Sequence, residues 1–129
     1  NVERIRLDSS EKIFNDVLRP IFWNLQEEQC WTILLDQGLH LISKDCIGKG
    51  GITAVSADIR SILKLALLRN AVGIILSHNH PSGSLKPSKE DDGLTRSLND
   101  ACKIMNIRFL DHIIVHGNRY YSYNEEERI

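Results

Sequence analysis

The chain has 129 residues, of which 42% are hydrophobic and 26% charged, the length and composition of one globular domain with a real hydrophobic core. Its formal net charge is −1 at pH 7, which excludes the basic excess of a domain that binds nucleic acid through the phosphate backbone. The longest apolar stretches fall short of the roughly 20 residues that a membrane span needs, and no signal peptide pattern opens the chain.

The first elements predicted are a short edge strand at 2–8 and a helix that follows it. Serine caps and apolar positions at helical spacing favour a helix over 9–20, and we expect Pro20 to kink or end it because proline lacks an N–H. Residues 29–46 predict two strands about a turn at 36–38. The glycine-rich stretch GKGGIT, 48–53, lacks the GxxxxGK[ST] spacing of a phosphate loop, and we interpret it as a loop leading into a strand.

The second half of the chain alternates helices and strands. Residues 56–70 predict an amphipathic helix capped by Ser56, and 71–78 predict a central strand covered on both faces. This order favours a crossover onto the same sheet. A further helix over 88–106, capped by Ser88, precedes a hairpin across Gly117-Asn118. The predicted fold class is therefore α/β, a sheet with helices packed against it.

Two histidines follow the predicted central strand. Extended chain places residues i and i+2 on one side, so His78 and His80 can point two imidazoles at one spot. Zinc binds imidazole nitrogens and carboxylate oxygens, and the next helix begins with Glu90, Asp91 and Asp92, among which spacing alone does not choose. The alternative is a solvated loop with acids that suit the helix dipole. Three protein ligands would leave the fourth zinc position for water, as in catalytic sites.

The stretch SHNHPSGSLKPSKED resembles the metal motif of the JAMM (MPN+) metallohydrolases, which reads HxH, seven residues, S, two residues, D. The matching residues are His78, His80, Ser88 and Asp91, with no departure in spacing. The wording HNHPSG…PSxxD, followed by LDHIIV and YYS, resembles the bacterial RadC family over nearly the whole chain, up to Tyr123.

This resemblance implies a fold and a zinc site. The fold is a curved mixed β-sheet flanked by helices, cytidine-deaminase-like, in a single JAMM (MPN+) domain over 1–129. The first residue is Asn1 rather than Met, and we expect the domain to be the C-terminal part of a longer chain. The implied zinc ligands are His78, His80 and Asp91.

The resemblance also implies two catalytic residues. Ser88 would donate a hydrogen bond to the developing oxyanion or to the zinc-bound water. The family needs a glutamate on an early strand as general base and acid, and the match to LQEEQCWTILLD places it at Glu28, with Glu27 as the adjacent competitor. Alternation puts only one of these two glutamates on the metal side of a strand.

The implied function is a zinc-dependent metallohydrolase, a peptidase or isopeptidase acting on a peptide or protein substrate. The alternative is a non-enzymatic accessory module in DNA repair or recombination, which would contact DNA only indirectly or through an N-terminal region that relatives often carry. A structural zinc site is disfavoured because only three ligands are offered. No membrane partner is expected, and the sequence does not indicate the oligomeric state.

The remaining candidate residues carry weaker signals. The cysteines, Cys30, Cys46 and Cys102, are widely spaced and odd in number, and we interpret them as reduced, mostly buried thiols of a cytoplasmic protein. Asp111 and His112 are candidates for a pair that supports the metal ligands, but they lie within a predicted strand and the sequence does not place them near the metal. We expect the other two histidines to face water; they are His40 and His116.

Overall fold

The computed structural model describes residues 5–50 and 57–129, and its centre is a five-stranded mixed sheet in the order β2-β1-β3-β4-β5. The strands are β1 Gln29–Leu35, β2 Leu41–Lys49, β3 Gly73–Asn79, β4 Arg108–His116 and β5 Arg119–Ser122. β3 and β4 run parallel, and the other neighbouring pairs are antiparallel. Helices pack on the sheet, which confirms the predicted α/β class.

The helical region before β1 extends further than the sequence predicted. It consists of α1 Ser10–Ile13, a π-helical segment Phe14–Leu18 and α2 Arg19–Phe22. The helix therefore does not end at Pro20, which lies in the first turn of α2 directly after the π-helical segment. The wider π-helical segment immediately before α2 is the local irregularity that accompanies the proline.

The N-terminal strand and the glycine-rich loop are only partly within the described residues. Of the predicted strand at 2–8, residues 2–4 lie outside them, and the remainder forms an isolated bridge between Arg6 and His40. Of the predicted loop at 48–53, residues 48 and 49 belong to β2, and 51–53 lie outside the described residues. The hairpin between β1 and β2 is confirmed, with the Asp36 carboxylate accepting the backbone N–H groups of Gly38 and His40.

Both long helices form where periodicity predicted them. The first is α3 Ile59–Leu68, which begins after the cap Asp58, whereas the predicted cap Ser56 lies outside the described residues. The second is α4 Lys89–Ile104, whose cap Ser88 is as predicted. Across the described ranges, none of the helices has the length and apolar character needed to cross a membrane.

The sheet separates two hydrophobic cores. One lies between the sheet and helices α3 and α4 and includes Leu34, Ile62, Leu76, Leu98 and Cys102. The other lies under α1, the π-helical segment and α2 and includes Phe14, Leu18, Ile33, Ile75 and Ile113. Every residue of β3 is buried, which confirms a central strand covered on both faces. The end of β3 is thus a rigid place from which to project side chains.

We predict that Leu98→Ala lowers the free energy of unfolding by about 2–5 kcal/mol, because it leaves a cavity between α4 and the sheet. Leu98 is fully buried. Leu68→Ala is the matched helical control: Leu68 is 71% exposed, and its replacement should change stability by less than about 0.5 kcal/mol. Urea unfolding followed by circular dichroism measures both, and equal losses would contradict the assigned packing of α4.

Candidate metal centre

The histidines at the end of β3 point their rings at one place. His78 is buried within the strand, and His80, half-buried, follows it by two residues on the same side. Their Nε2 atoms lie 2.9 Å apart. This is the convergence that extended geometry predicted.

A tight turn after His80 fixes the orientation of its ring. The backbone N–H of Gly83 donates to the carbonyl of His80, and Gly83 adopts φ +100°, a conformation that residues with a Cβ rarely adopt. Nδ1 of His80 lies 2.8 Å from the carbonyl oxygen of Ser84. Because a carbonyl only accepts hydrogen bonds, Nδ1 carries the hydrogen, and in the neutral ring Nε2 presents a lone pair to the centre.

The Asp91 carboxylate completes the convergence from the first turn of α4. Its oxygens lie 3.3 Å from His78 Nε2 and 3.6 Å from His80 Nε2, and the side chain is buried. A capping box holds it: the Ser88 N–H donates to Asp91 Oδ2 at 2.9 Å, while Asp91 N–H donates to Ser88 Oγ at 3.0 Å. The acids Glu90 and Asp92, left open by spacing, are not part of these contacts.

The centre attracts positive charge. Burial opposes ionisation of Asp91, but the imidazoles of His78 and His80 hydrogen-bond its carboxylate when they are protonated. These contacts outweigh burial and hold the pKa of that carboxyl far below its ordinary value. The hydrogen bond to Asp91 in turn raises the pKa of His80, against the effect of burial. In metal-free protein, therefore, His80 retains a proton more readily than a free imidazole does.

The carboxylate of Glu28 reaches the same centre. One of its oxygens lies within 4.8 Å of ring nitrogens of both His78 and His80. Glu28 is half-buried, as suits a group at the mouth of a site. Glu27 is exposed, and its carboxylate accepts a hydrogen bond from the side chain of Gln29. Of the two adjacent glutamates, the structure brings Glu28 to the histidines.

Asn79, between the two histidines, holds the backbone on both sides of Glu28. Its Nδ2 donates to the carbonyl of Glu27 at 3.0 Å, and its Oδ1 accepts the N–H of Gln29 at 2.7 Å. The carbonyl of Glu28 itself accepts the N–H of Gly50 at 2.8 Å. The sequence did not predict this contact, although an amide between two candidate ligands was a signal for it.

The donor set fits a divalent metal ion. Ligands at about 2.0–2.1 Å in a tetrahedral arrangement lie about 3.3 Å from one another. The three separations among His78 Nε2, His80 Nε2 and the Asp91 oxygens are 2.9, 3.3 and 3.6 Å. Two imidazole nitrogens and one carboxylate are also the ligand types that zinc accepts in sites with three protein ligands.

His112, a candidate that the sequence did not place near the metal, lies against the centre. Its Nε2 is 2.9 Å from Nδ1 of His78. A bulge explains the difference: the β3–β4 register jumps between Ile74↔Phe109 and Ile75↔Asp111, leaving Leu110 unpaired. Strict alternation from Phe109 would have pointed His112 away from α3 and α4, and the extra residue turns it back.

The other weak candidates lie as follows. Asp111 faces the opposite side of the sheet, where its carboxylate accepts the hydroxyls of Ser10 and Ser122. His116, expected to face water, is half-buried, and its Nδ1 lies 3.0 Å from the carbonyl of His80. His40 is half-exposed on its hairpin and contacts Asp36. The cysteines are free: Cys30 and Cys102 are buried and Cys46 is half-buried.

Comparison with known proteins gives consistent matches. The family model of the RadC-like JAB domain matches residues 7–128. A UPF0758 protein of Flavobacterium johnsoniae is 38% identical over 121 residues, which cover 94% of this chain and 52% of that protein. One of Streptococcus gordonii is 39% identical over 126 residues, covering 98% of this chain and 55% of that protein. The chain spans about half the length of these curated relatives, and the matches confirm the resemblance that its motifs indicated.

We predict that Asn79→Ala loosens the segment that carries Glu28. Two half-buried backbone groups lose their partners, which should cost about 1–3 kcal/mol of unfolding free energy and accelerate amide hydrogen exchange at Gln29. Asn15→Ala, on an exposed position of the π-helical segment, is the control and should stay within about 0.5 kcal/mol. Unchanged exchange protection at Gln29 in Asn79→Ala would contradict the bridging role.

Proposed function

Because the chain belongs to the family of RadC-like JAB domains, we propose that it is a zinc-dependent hydrolase whose ion is held by His78, His80 and Asp91. One observation carries this proposal above the others: electron-rich atoms of three separately anchored side chains lie 2.9–3.6 Å apart. Such atoms repel one another unless a proton or a metal ion lies between them.

The ligand types favour zinc over magnesium and calcium. Imidazole suits zinc, whereas magnesium and calcium prefer all-oxygen sites. Three protein ligands leave one position open, as in catalytic rather than structural sites. A zinc ion bound there would polarise the scissile carbonyl and lower the pKa of a water molecule towards about 7.

Glu28 is placed to move the proton. It would take a proton from the attacking water as the oxygen bonds to the carbonyl carbon, and then give that proton to the leaving amine as the C–N bond breaks. The products are a carboxylic acid and an amine, so one water molecule is consumed. The half-buried position of Glu28, beside two buried ligands, suits a group that must meet both water and substrate.

Ser88 supports the reaction in two ways. Its N–H holds the Asp91 carboxylate, and its Oγ accepts the Asp91 N–H as helix cap. The cap uses a lone pair of the hydroxyl and leaves its hydrogen available for donation to the oxyanion of the tetrahedral intermediate. A donor of this kind is typically worth about 3–4 kcal/mol of transition-state stabilisation.

The substrate class that fits this chemistry is a peptide or isopeptide bond, presented by a peptide or protein. The net charge of −1 disfavours DNA as a direct ligand of this domain, so a role in DNA repair would require chain beyond it or a partner. We also propose the cytidine-deaminase-like arrangement for the sheet. The buried free thiols support a reducing compartment such as the cytoplasm.

Metal analysis tests the centre first. Purified protein should contain about one zinc ion per chain, and His78→Ala and Asp91→Ala should each lower the zinc content well below one ion per chain, since each removes one of the three proposed ligands. The matched control is His40→Ala, a half-exposed histidine on the β1–β2 hairpin, which should bind as wild type does. Equal metal content in wild type and His78→Ala would refute the assignment.

Catalysis is tested at the two adjacent glutamates. Glu28→Gln should retain zinc and lose about 10²–10⁴-fold in kcat on whichever substrate a screen of peptides and isopeptide-linked peptides identifies. Glu27→Gln, one residue away and exposed, should stay near wild type. Loss of activity in Glu27→Gln with full activity in Glu28→Gln would show that the wrong neighbour had been assigned.

A further inference from the structure

A chain of hydrogen bonds runs behind the candidate metal centre. His112 is fully buried. Its Nε2 lies 2.9 Å from His78 Nδ1, and its Nδ1 lies 2.6 Å from the hydroxyl oxygen of Thr95. That hydroxyl donates to the backbone carbonyl of Asp91 at 2.8 Å. The chain therefore joins a candidate ligand on β3 to a candidate ligand on α4.

The direction of each hydrogen bond in this series follows from its last acceptor, the carbonyl of Asp91. The carbonyl of Asp91 only accepts, so the single hydrogen of the Thr95 hydroxyl is committed to it. Nδ1 of His112 must then donate to Thr95, which leaves Nε2 of a neutral His112 as an acceptor. His78 therefore donates from Nδ1, and its Nε2 bears a lone pair directed at His80 and Asp91.

The surroundings hold the ring of His112 in place. The ring stacks on Tyr123, with centroids 5.0 Å apart and planes 7° from parallel. Tyr123 is anchored in turn by its hydroxyl, which donates to Asp92.

We propose that His112 is a positioning residue of the metal centre, which, with Thr95, holds His78 in the tautomer whose Nε2 can bind the ion. The role rests on the proposed function, in which His78 is a ligand. A metal-binding histidine commonly donates its other N–H to a carboxylate, a carbonyl or water. Here the acceptor is a second, buried imidazole.

Loss of the acceptor has a specific consequence. Without His112, the buried Nδ1–H of His78 has no hydrogen-bond acceptor among the described residues. The ring is then free to carry its hydrogen on Nε2 instead. That hydrogen would lie where the metal binds. The expected effect is weaker metal binding without loss of any direct ligand.

Metal affinity tests the proposal without any substrate. Zinc and Co²⁺ dissociation constants are measured by chelator competition in wild type, His112→Leu, His112→Gln and Thr95→Val. His112→Leu should weaken binding by about 10–100-fold. Glutamine can place an oxygen where His112 Nε2 lies, so His112→Gln should recover most of the loss. Thr95→Val, which removes the hydroxyl that orders His112, should weaken binding by an intermediate factor.

Nitrogen NMR of ¹⁵N-labelled imidazoles supplies the second readout, on metal-free protein at a pH about two units above the ordinary imidazole pKa of about 6.5. Wild-type His78 should be the Nδ1–H tautomer, and Thr95→Val and His112→Leu should shift it towards Nε2–H. The wild-type spectrum tests the tautomer of His78 even if a variant fails to fold.

Two results would overturn the proposal: a wild-type His78 already in the Nε2–H form, or equal affinity losses in folded His112→Leu and His112→Gln, which would indicate packing rather than hydrogen bonding. Failure of the proposed function would give a different result. Wild type would then bind neither metal, while the NMR spectra would still decide whether His112 and Thr95 order the His78 ring.

Discussion

Two imidazole nitrogens and a carboxylate are held within 2.9–3.6 Å of one another. The chemistry of the site depends on what neutralises their repulsion. None of the three side chains is free to withdraw. His78 is fixed in the buried central strand, His80 by the turn that follows, and Asp91 by the capping box of α4. A proton or a metal ion between them removes the repulsion, and the geometry accommodates the ion.

The fold and the ligand candidates could be read from the sequence because both depend on local rules. Period-2 and period-3.6 hydrophobic patterns predicted the strands and the long helices. The same serine that caps α4 is part of the HxH…S…D spacing, so Ser88 and Asp91 were visible as a helix start and as a motif. Choosing Asp91 over Glu90 and Asp92 required the family resemblance, because spacing alone left all three open.

The supporting residues were not predictable because they depend on non-local geometry. His112 faces the centre only because a bulge at Leu110 reverses which side chains of β4 face α4. Nothing in the residues LDHIIV predicts that bulge. Asn79 reaches the backbone beside Glu28 only through the register of β1 on β3. Pro20 similarly predicted a kink or an end of the first helix. The helical region instead continues through a π-helical segment into α2.

The most direct test of the central claim is a crystal structure of the zinc-loaded protein with anomalous data collected on both sides of the zinc absorption edge. One anomalous peak is expected, about 2.0–2.1 Å from His78 Nε2, His80 Nε2 and an Asp91 oxygen. Zinc at full occupancy on other residues, with these three side chains unchanged and no peak between them, would contradict it.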